Sequence, residues 1–241
     1  MAAHMPPALA DKVARTEAVL AKAAALGDVA LASSLSAEDM VLTALIAKAC
    51  RPISVFAIDT GRLSQETLAM IEAAREKLGV DIEVFHPIES AVAAYVGDYG
   101  ANAFYESLDL RKSCCHIRKV EPLERALKGK RGWITGQRRD QAATRTELAT
   151  HEHDKARGIE KFNPLADWSW DDVLAYARAL DVPINPMHAR GYISIGCDPC
   201  TRAIRPGEDE RAGRWWWENS TSKECGLHVT ALPERRADNI A

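Results

Sequence analysis

The sequence predicts an α/β fold in which a mainly parallel sheet is flanked by helices and followed by an extended C-terminal tail. Short apolar runs alternate with helical segments of about a dozen residues, a pattern typical of βαβ units, whose strands are parallel. The alternation ends near residue 184, where Gly, Pro, Arg and Cys become dense. We therefore expect an α/β domain over residues 1–184. Residues 185–241 are expected to form a C-terminal segment that is not an independent domain.

The individual elements follow from hydrophobic periodicity and from turn residues. Helical spacing is found in four segments: Asp11–Leu26, Met40–Ala49, Thr67–Leu78 and Arg118–Lys128. Short apolar runs bounded by polar or turn residues predict four strands: Val29–Ser33, Ile53–Ile58, Asp81–Phe85 and Gly132–Thr135. Ser64 precedes the third helix and is a candidate N-cap.

Three polar loops follow predicted strands, namely Ser33–Glu38, Asp59–Leu63 and Gly136–Arg139. The carboxyl ends of parallel strands share one edge of a sheet, and ligands bind there. The first loop (Ser33–Glu38) also opens a helix, so its amides and hydroxyls could hold an anion. It lacks the Gly-x-x-x-x-Gly-Lys-Ser/Thr pattern of Walker-type loops.

Composition excludes several classes of protein. The net charge of −3 over 241 residues argues against general nucleic-acid binding. No apolar run approaches the roughly 18 residues that span a bilayer, so no membrane partner is expected. The N-terminus has no secretory pattern, which predicts a cytoplasmic protein. In a reducing compartment the six cysteines are more typical of metal ligands or catalysts than of disulfides.

Four cysteines form two close pairs, Cys114–Cys115 and the C-x-x-C pair Cys197 and Cys200. Four thiolates suit either zinc or an iron–sulfur cluster. Adjacent cysteines reach a single tetrahedral ion with difficulty, whereas each can bind its own iron in a cluster, so the spacing favours iron. Zinc remains an alternative, as does an inert buried pair beside a lone C-x-x-C.

Cys225 stands apart from these pairs in the polar C-terminal stretch Lys223-Glu224-Cys225-Gly226-Leu227-His228. An exposed thiol near a cationic side chain has a lowered pKa and is a better nucleophile. His228 could supply that positive charge or donate a proton. The alternative is an ordinary surface cysteine.

Basic residues gather where an anion would bind. Arg138, Arg139 and Arg145 follow the fourth strand, Lys119 follows Cys115 by four residues, and Arg211 and Arg214 precede the tail cysteine. Guanidinium groups suit phosphate and sulfate oxygens. For any single arginine, a solvated surface position is the alternative.

Together these motifs resemble the adenylyl-sulfate reductases, an assimilatory family related to the phosphoadenylyl-sulfate (PAPS) reductases. The matching segments are the Ser-rich first loop, Asp59-Thr60-Gly61-Arg62-Leu63, Cys114-Cys115-His116-Ile117-Arg118-Lys119, Gly136-Gln137-Arg138-Arg139-Asp140-Gln141, the C-x-x-C and Glu224-Cys225-Gly226-Leu227-His228. The resemblance spans Ser33 to His228. It implies a Rossmann-like adenine nucleotide α-hydrolase fold with a nucleotide-binding domain over residues 1–184.

The resemblance also implies a reaction and the residues that carry it. Cys225 would attack the sulfur of adenosine 5'-phosphosulfate (APS) and release AMP, with His228 assisting. A thioredoxin-like dithiol protein would then free sulfite from the Cys225 S-sulfonate. One [4Fe-4S] cluster per chain would be held by Cys114, Cys115, Cys197 and Cys200. The substrate would contact the strand-end loops and the cations, namely Ser33, Ser34, Ser36, Leu63, Lys119, Gly136, Arg138, Arg139, Arg211 and Arg214.

Some alternatives stay open at this level. The first loop departs from the Ser-Gly-Gly-x-Asp-Ser pattern of PP-loop ATP pyrophosphatases, which disfavours ATP-dependent chemistry. Glu38 and Asp39 disfavour the additional 3'-phosphate of PAPS, so APS is the expected substrate and PAPS the alternative. A zinc-stabilised binding module without catalysis is the alternative from a different class, and a homo-oligomer is left open.

Overall fold

The computed structural model describes residues 6–142 and 145–218. In this part of the chain the α-helices are α1 (Pro7–Leu26), α2 (Ala37–Lys48), α3 (Gln65–Leu78), α4 (Glu89–Tyr99), α5 (Leu108–Cys115), α6 (Glu121–Leu127) and α7 (Trp170–Ala179). The strands are β1 (Val29–Ser33), β2 (Ile53–Ile58), β3 (Ile82–Phe85), β4 (Gly132–Ile134), β5 (His151–Asp154) and β6 (Ile159–Phe162).

The described strands form one sheet in the order β3-β2-β1-β4-β6-β5. Every neighbouring pair is parallel except β5 and β6, which form an antiparallel hairpin at one edge. Val29 at the start of the central strand β1 pairs with Ile53 of β2 and Gly132 of β4. The predicted fold class, a mainly parallel sheet flanked by helices, is confirmed. No described helix is long and apolar enough to cross a membrane.

Local sequence explains where the helices begin and end. Pro7 occupies the first turn of α1, where the missing amide hydrogen costs no hydrogen bond. The Ser64 side chain accepts a hydrogen bond from the amide of Thr67 at the start of α3, so the predicted N-cap is confirmed. Gly79 ends α3 in the left-handed conformation with φ 67°, which glycine adopts without strain.

Helix α2 lies inside the protein and anchors the first loop. Its residues from Ala37 to Ile46 are all buried, and a helix that is apolar on every side packs in the interior. The helix contacts β1, α3 and α7. Because α2 is immobilised in this way, the loop that enters it is held in place at the edge of the sheet.

The structure differs from the sequence prediction in several places, and α5 and α7 are among the elements that were not predicted. The predicted helix Arg118–Lys128 is divided, since α5 ends at Cys115 and a π-helical turn, His116–Val120, connects it to α6. The hairpin of β5 and β6 was not predicted, because both strands carry too many polar residues to give an apolar run. Helix α4 buries only Tyr95 and so lacks an apolar stripe.

The segment from residue 185 to residue 218 packs back onto the α/β part of the protein. The Asn185 side chain donates to the Thr67 hydroxyl at 2.9 Å, and the amide of Asp198 donates to the Arg62 carbonyl at 2.7 Å. These contacts bring the C-x-x-C pair to the carboxyl edge of the sheet. The proposed division at residue 184 stays a prediction.

Candidate active site

A cavity of about 200 Å³ lies at the carboxyl ends of β1, β2 and β4. The three predicted polar loops all reach it. The predicted substrate-binding residues that line it are Ser33, Ser34, Ser36, Leu63, Lys119, Gly136, Arg211 and Arg214. The structure adds lining residues that were not among the predicted substrate contacts. Arg145 had been noted as a basic residue, and Thr60, Gln137 and Gln141 lie in the matching segments, whereas Trp133 and Ile195 had not been noted as site residues.

The first loop is organised by its own carboxylate. Asp39 accepts hydrogen bonds from the Ser34 amide at 2.7 Å and the Ser34 hydroxyl at 2.5 Å. The Leu35 amide donates to the Ser33 hydroxyl at 3.1 Å. Burial raises the pKa of Asp39 to about 6, although the bonds from Ser34 oppose that shift. Asp39 already takes these two donors of Ser34, and the predicted contact of the loop with an anion stays a prediction.

His188 supports the same loop from the C-terminal segment. Its Nε2 accepts a hydrogen bond from the amide of Ala37 at 3.2 Å, and its Nδ1 lies 2.7 Å from the carbonyl of Tyr192. An amide can only donate and a carbonyl can only accept, so the ring must be neutral with its proton on Nδ1. Burial lowers the pKa of His188, which favours this neutral form. Nothing in the sequence pattern indicated this contact.

Arg138 and Arg139 do not belong to the described lining of the cavity. Arg138 is fully buried, with Nε 3.0 Å from a Glu38 oxygen and Nη2 2.6 Å from a Glu210 oxygen. Arg139 donates to the carbonyl of Leu148 and pairs with Asp167. Both guanidinium groups are thus engaged by protein partners outside the described lining of the cavity, and their predicted contact with substrate stays a prediction.

Arg214 is a cation on the cavity that the protein holds firmly. Its Nη1 donates to the carbonyl of Ile195 at 3.0 Å, and its guanidinium lies 4.8 Å from the ring centre of the buried Trp215. A Cβ atom on Gly196 would lie 2.3 Å from Nη2 of Arg214, so only glycine allows this approach. With Lys119, Arg145 and Arg211, it gives the cavity a cationic wall.

The four paired cysteines are all buried and line a second, smaller cavity. Cys114 and Cys115 end α5, and Cys197 and Cys200 flank a short 3₁₀ turn. All four are free thiols. This second cavity is adjacent to the larger cavity at the carboxyl ends of the strands, because Lys119 lines both cavities.

The donor set around the second cavity can be compared with the two metal centres that the spacing allows. A single zinc ion needs its ligands to converge to about 2.3 Å from one point. The described residues contain no group of three or more His, Cys, Asp or Glu side chains placed to hold one ion. Four thiols around a shared cavity fit an iron–sulfur cluster, which binds each cysteine through a separate iron.

Cations and a hydroxyl surround the thiols. Burial raises the pKa of Cys114 and, with the neighbouring Cys197, raises the pKa of Cys200 to about 12. Arg118 opposes the shift at Cys114, and Lys119 and Arg214 oppose it at Cys200. The Thr60 hydroxyl lies 3.2 Å from the sulfur of Cys197. Positive groups of this kind stabilise bound thiolates, so the surroundings also fit a cluster.

Cys225 and His228, the predicted nucleophile and its neighbour, lie outside the described residues. The last described residue is Glu218, which forms a buried ion pair with Arg111 at 2.8 Å. The chain thus leaves the described part of the protein beside the four cysteines.

Comparison with known proteins agrees with this architecture. Residues 28–203 match the phosphoadenosine phosphosulfate reductase domain. An adenosine 5'-phosphosulfate reductase of Burkholderia cepacia is 60% identical over 232 residues, which cover 96% of this chain and 93% of the relative. The reductase of the same name from Allochromatium vinosum is 53% identical over 211 residues, covering 88% and 82%.

Solved structures give the same result at the level of the fold. A phosphoadenylyl-sulfate reductase from Candida auris, in complex with phosphate, is 26% identical with a TM-score of 0.66, covering 78% of this chain and 90% of that one. FMN adenylyltransferase of Candida glabrata shares the fold alone, with 12% identity, a TM-score of 0.57, and coverage of 90% and 77%. The Rossmann-like adenine nucleotide α-hydrolase fold is confirmed. The matched domain covers most of the chain and the curated relatives cover nearly all of it, so the chain belongs to the phosphoadenosine phosphosulfate reductase family.

Proposed function

We propose that the chain is a cytoplasmic, thioredoxin-dependent adenylyl-sulfate reductase of assimilatory sulfate reduction, which converts APS to sulfite and AMP through an S-sulfonate on Cys225. The observation that carries the proposal is the cationic cavity at the carboxyl edge of the sheet, which adjoins four buried cysteines through Lys119. The names of the relatives from Burkholderia cepacia and Allochromatium vinosum support the choice of reaction.

The reaction consists of two exchanges at sulfur. The Cys225 thiolate attacks the sulfate sulfur, a bond forms between the two sulfurs, and the bond from sulfur to the phosphate oxygen breaks. AMP leaves with that electron pair. A thiolate of the dithiol protein then attacks the Cys225 sulfur, and sulfite leaves with the pair of the sulfur–sulfur bond. The second thiol of the partner completes its disulfide and restores the Cys225 thiol, so the dithiol supplies both electrons.

The chain's cations make the first exchange feasible. A thiolate is repelled by an anionic sulfate, and negative charge grows on the departing phosphate. Lys119, Arg145, Arg211 and Arg214 line the cavity and can stabilise that charge in a partly dry site. Arg214 is held by the Ile195 carbonyl before any substrate binds, so little reorganisation accompanies the reaction. His228 is proposed to supply positive charge or a proton near Cys225.

The four buried cysteines are proposed to hold a [4Fe-4S] cluster, which would supply structural order and a local electric field. No electron transfer by the cluster is required, because the dithiol balances the reduction. Lys119 lies between the two cavities and can respond to charge in either. Thr60 has a similar position, since it lines the first cavity while its hydroxyl touches the Cys197 sulfur.

APS is preferred over PAPS as the substrate because of acidic side chains on the cavity. Glu38 and Asp39 both line it, and Asp39 occupies the Ser34 donors that a further phosphate could have used. A 3'-phosphate placed near these carboxylates would lose hydration without gaining a counter-charge.

Mass spectrometry after incubation with APS tests the proposal directly. Without reductant, the wild-type chain should release AMP and carry a sulfonate on Cys225, whereas C225S should do neither. C50S is the matched control, because Cys50 is exposed and far along the chain from the paired cysteines. PAPS should give slower labelling than APS. Turnover without a Cys225 adduct would contradict the proposed nucleophile, and faster labelling by PAPS would reverse the choice of substrate.

A further inference from the structure

A buried ion-pair network borders the cavity and is not used by the proposed reaction. Its centre is Arg138, which has no exposed surface. Arg138 donates through Nε to Glu38 at 3.0 Å and through Nη2 to Glu210 at 2.6 Å, and its guanidinium lies 5.7 Å from the Trp170 ring centre. Glu38 also accepts from Gln141 at 2.8 Å. We call these residues, without Trp170, the Arg138 network.

The Arg138 network joins three segments that are far apart in the sequence. Glu38 belongs to the first turn of α2, Arg138 and Gln141 follow β4, and Glu210 belongs to the C-terminal segment. Glu38 and Gln141 also line the cavity, whereas Arg138 and Glu210 do not belong to its described lining. The network therefore ties the wall of the cavity to the stretch of chain around Glu210.

That stretch, residues 209–214, carries Arg211 and Arg214, and we call it the cationic segment. It contains no helix or strand longer than an isolated bridge between Thr201 and Arg214. The Arg202 amide donates to the Gly213 carbonyl at 3.0 Å, which fixes the far end of the segment. Among the described side-chain contacts, the near end is fixed to the α/β part by the bond from Arg138 to Glu210.

We propose that Glu210 is a positioning residue that, by pairing with Arg138, holds the cationic segment against α2 so that Arg211 and Arg214 face the cavity. The proposal rests on the proposed function only in taking a nucleotide anion as the ligand of those arginines. Glu210 itself touches no reacting atom.

Two features indicate that Glu210, rather than Arg138, is the residue that can move away when this ion pair breaks. Arg138 is fixed by Glu38 and Trp170, whereas the Glu210 side chain is 26% exposed and belongs to a segment without regular structure. Burial raises the pKa of Glu210 although Arg138 opposes that shift. Glu38 and Asp140 also face the carboxylate and raise its pKa further. The ion pair between Arg138 and Glu210 therefore restrains the cationic segment without immobilising it.

Electrostatics and positioning predict opposite effects of removing this charge, which makes the proposal testable. Glu210→Gln deletes one negative charge near an anion site, and the Coulomb effect alone would tighten nucleotide binding. If Glu210 positions the arginines, the same change weakens binding, because a neutral amide holds Arg138 less strongly than a carboxylate does. The sign of the change in affinity therefore separates the two roles.

The experiment compares E210Q with E208Q in the full-length protein as purified. Glu208 lies two residues before Glu210 and pairs with Arg202, at side-chain exposures of 34% for Arg202 and 28% for Glu208. E208Q therefore removes an equal charge without touching Arg138. We expect E210Q to raise KM for APS and Kd for AMP by at least about fivefold, with kcat within about twofold. E208Q should change neither. E210D, which keeps the charge on a shorter side chain, should fall between E210Q and wild type.

Hydrogen exchange of residues 209–214 provides a readout that needs no activity. E210Q should exchange these amides faster than wild type and E208Q, while α2 exchanges as in wild type. Binding as tight as wild type or tighter, or exchange equal to that of E208Q, would overturn the positioning role. If wild type neither binds AMP nor consumes APS, the proposed function fails, and the exchange comparison still decides whether Glu210 holds the segment.

Discussion

The carboxylate of Asp39 accepts both the backbone amide and the hydroxyl of Ser34, at 2.7 and 2.5 Å. Its second oxygen lies against Gly136 and has no hydrogen-bond partner of normal geometry among the described residues. A buried carboxylate with one satisfied oxygen resists ionisation. The conformation of the first loop therefore depends on the Asp39 carboxyl group, whose charge changes near pH 6.

Stability should fall as pH rises through the titration of Asp39. Its pKa in the folded protein, about 6, exceeds the ordinary value of 3.8, so the folded state binds more protons between these values. The free energy of unfolding should then drop by about 2 kcal/mol from pH 4 to pH 7 because of this group. Asp39→Asn should remove that slope, as measured by urea unfolding at several pH values. Asp11→Asn, an exposed change on α1, should keep it, and parallel curves for wild type and D39N would contradict the assignment.

Gly136→Ala should disturb the cavity without a change of charge. The added Cβ would lie 2.3 Å from the Asp39 oxygen and 3.0 Å from the Glu38 Cβ, both on the first turn of the buried helix α2. Overpacking of this kind costs about 1–3 kcal/mol, and we expect KM for APS to rise several-fold or more. Thermal unfolding and steady-state kinetics measure the two effects.

Gly97→Ala is the matched control for that change. Gly97 lies in α4, is exposed, and has no atom within 4 Å of the position a Cβ would take. Alanine there should stabilise the helix by up to about 1 kcal/mol and leave KM unchanged. Equal effects of the two substitutions would mean that the close approach at Gly136 does not shape the cavity.

The parts of the fold that the sequence predicted well depend on local patterns. Strands β1 and β2 begin and end at the predicted residues, because each is an apolar run bounded by turn residues. Since parallel strands share an orientation, the loops after them had to meet at one edge. The position of the cavity thus followed from a few short runs and a general rule about sheets.

The contacts that organise the cavity could not be predicted, because their partners are distant in sequence. His188 meets the Ala37 amide across 151 residues, and Arg138 meets Glu38 across 100 and Glu210 across 72. In the sequence, both Arg138 and Arg214 look like anion ligands. Only the fold distinguishes Arg214, which reaches the cavity, from Arg138, which is taken up by two carboxylates.

Cys115→Ser should abolish iron binding, if the four buried cysteines hold a cluster. The purified wild-type protein should be brown and contain about four irons and four acid-labile sulfides per chain. Metal analysis and absorbance near 400 nm measure this, and C50S, at an exposed cysteine, should retain the full iron content. One zinc per chain would instead support the zinc-stabilised module. A C115S protein without iron but with full activity would contradict a role for the cluster in the site.

Glu218→Ala should destabilise the protein far more than a surface ion pair would suggest. Arg111 and Glu218 form a bidentate pair with side-chain exposures of 1% and 9%, and Arg111 also stacks 4.5 Å from the ring centre of Trp215. Removal of one partner leaves the guanidinium buried without its carboxylate, at a cost of about 3 kcal/mol.

The control Glu72→Ala breaks an exposed pair with Arg75 and should change the free energy of unfolding by at most about 0.5 kcal/mol. Urea unfolding of the two variants measures the difference, and equal small losses would show that Arg111 does not depend on Glu218. Because Glu218 precedes Cys225 by seven residues, E218A should also slow Cys225 labelling by APS while AMP still binds.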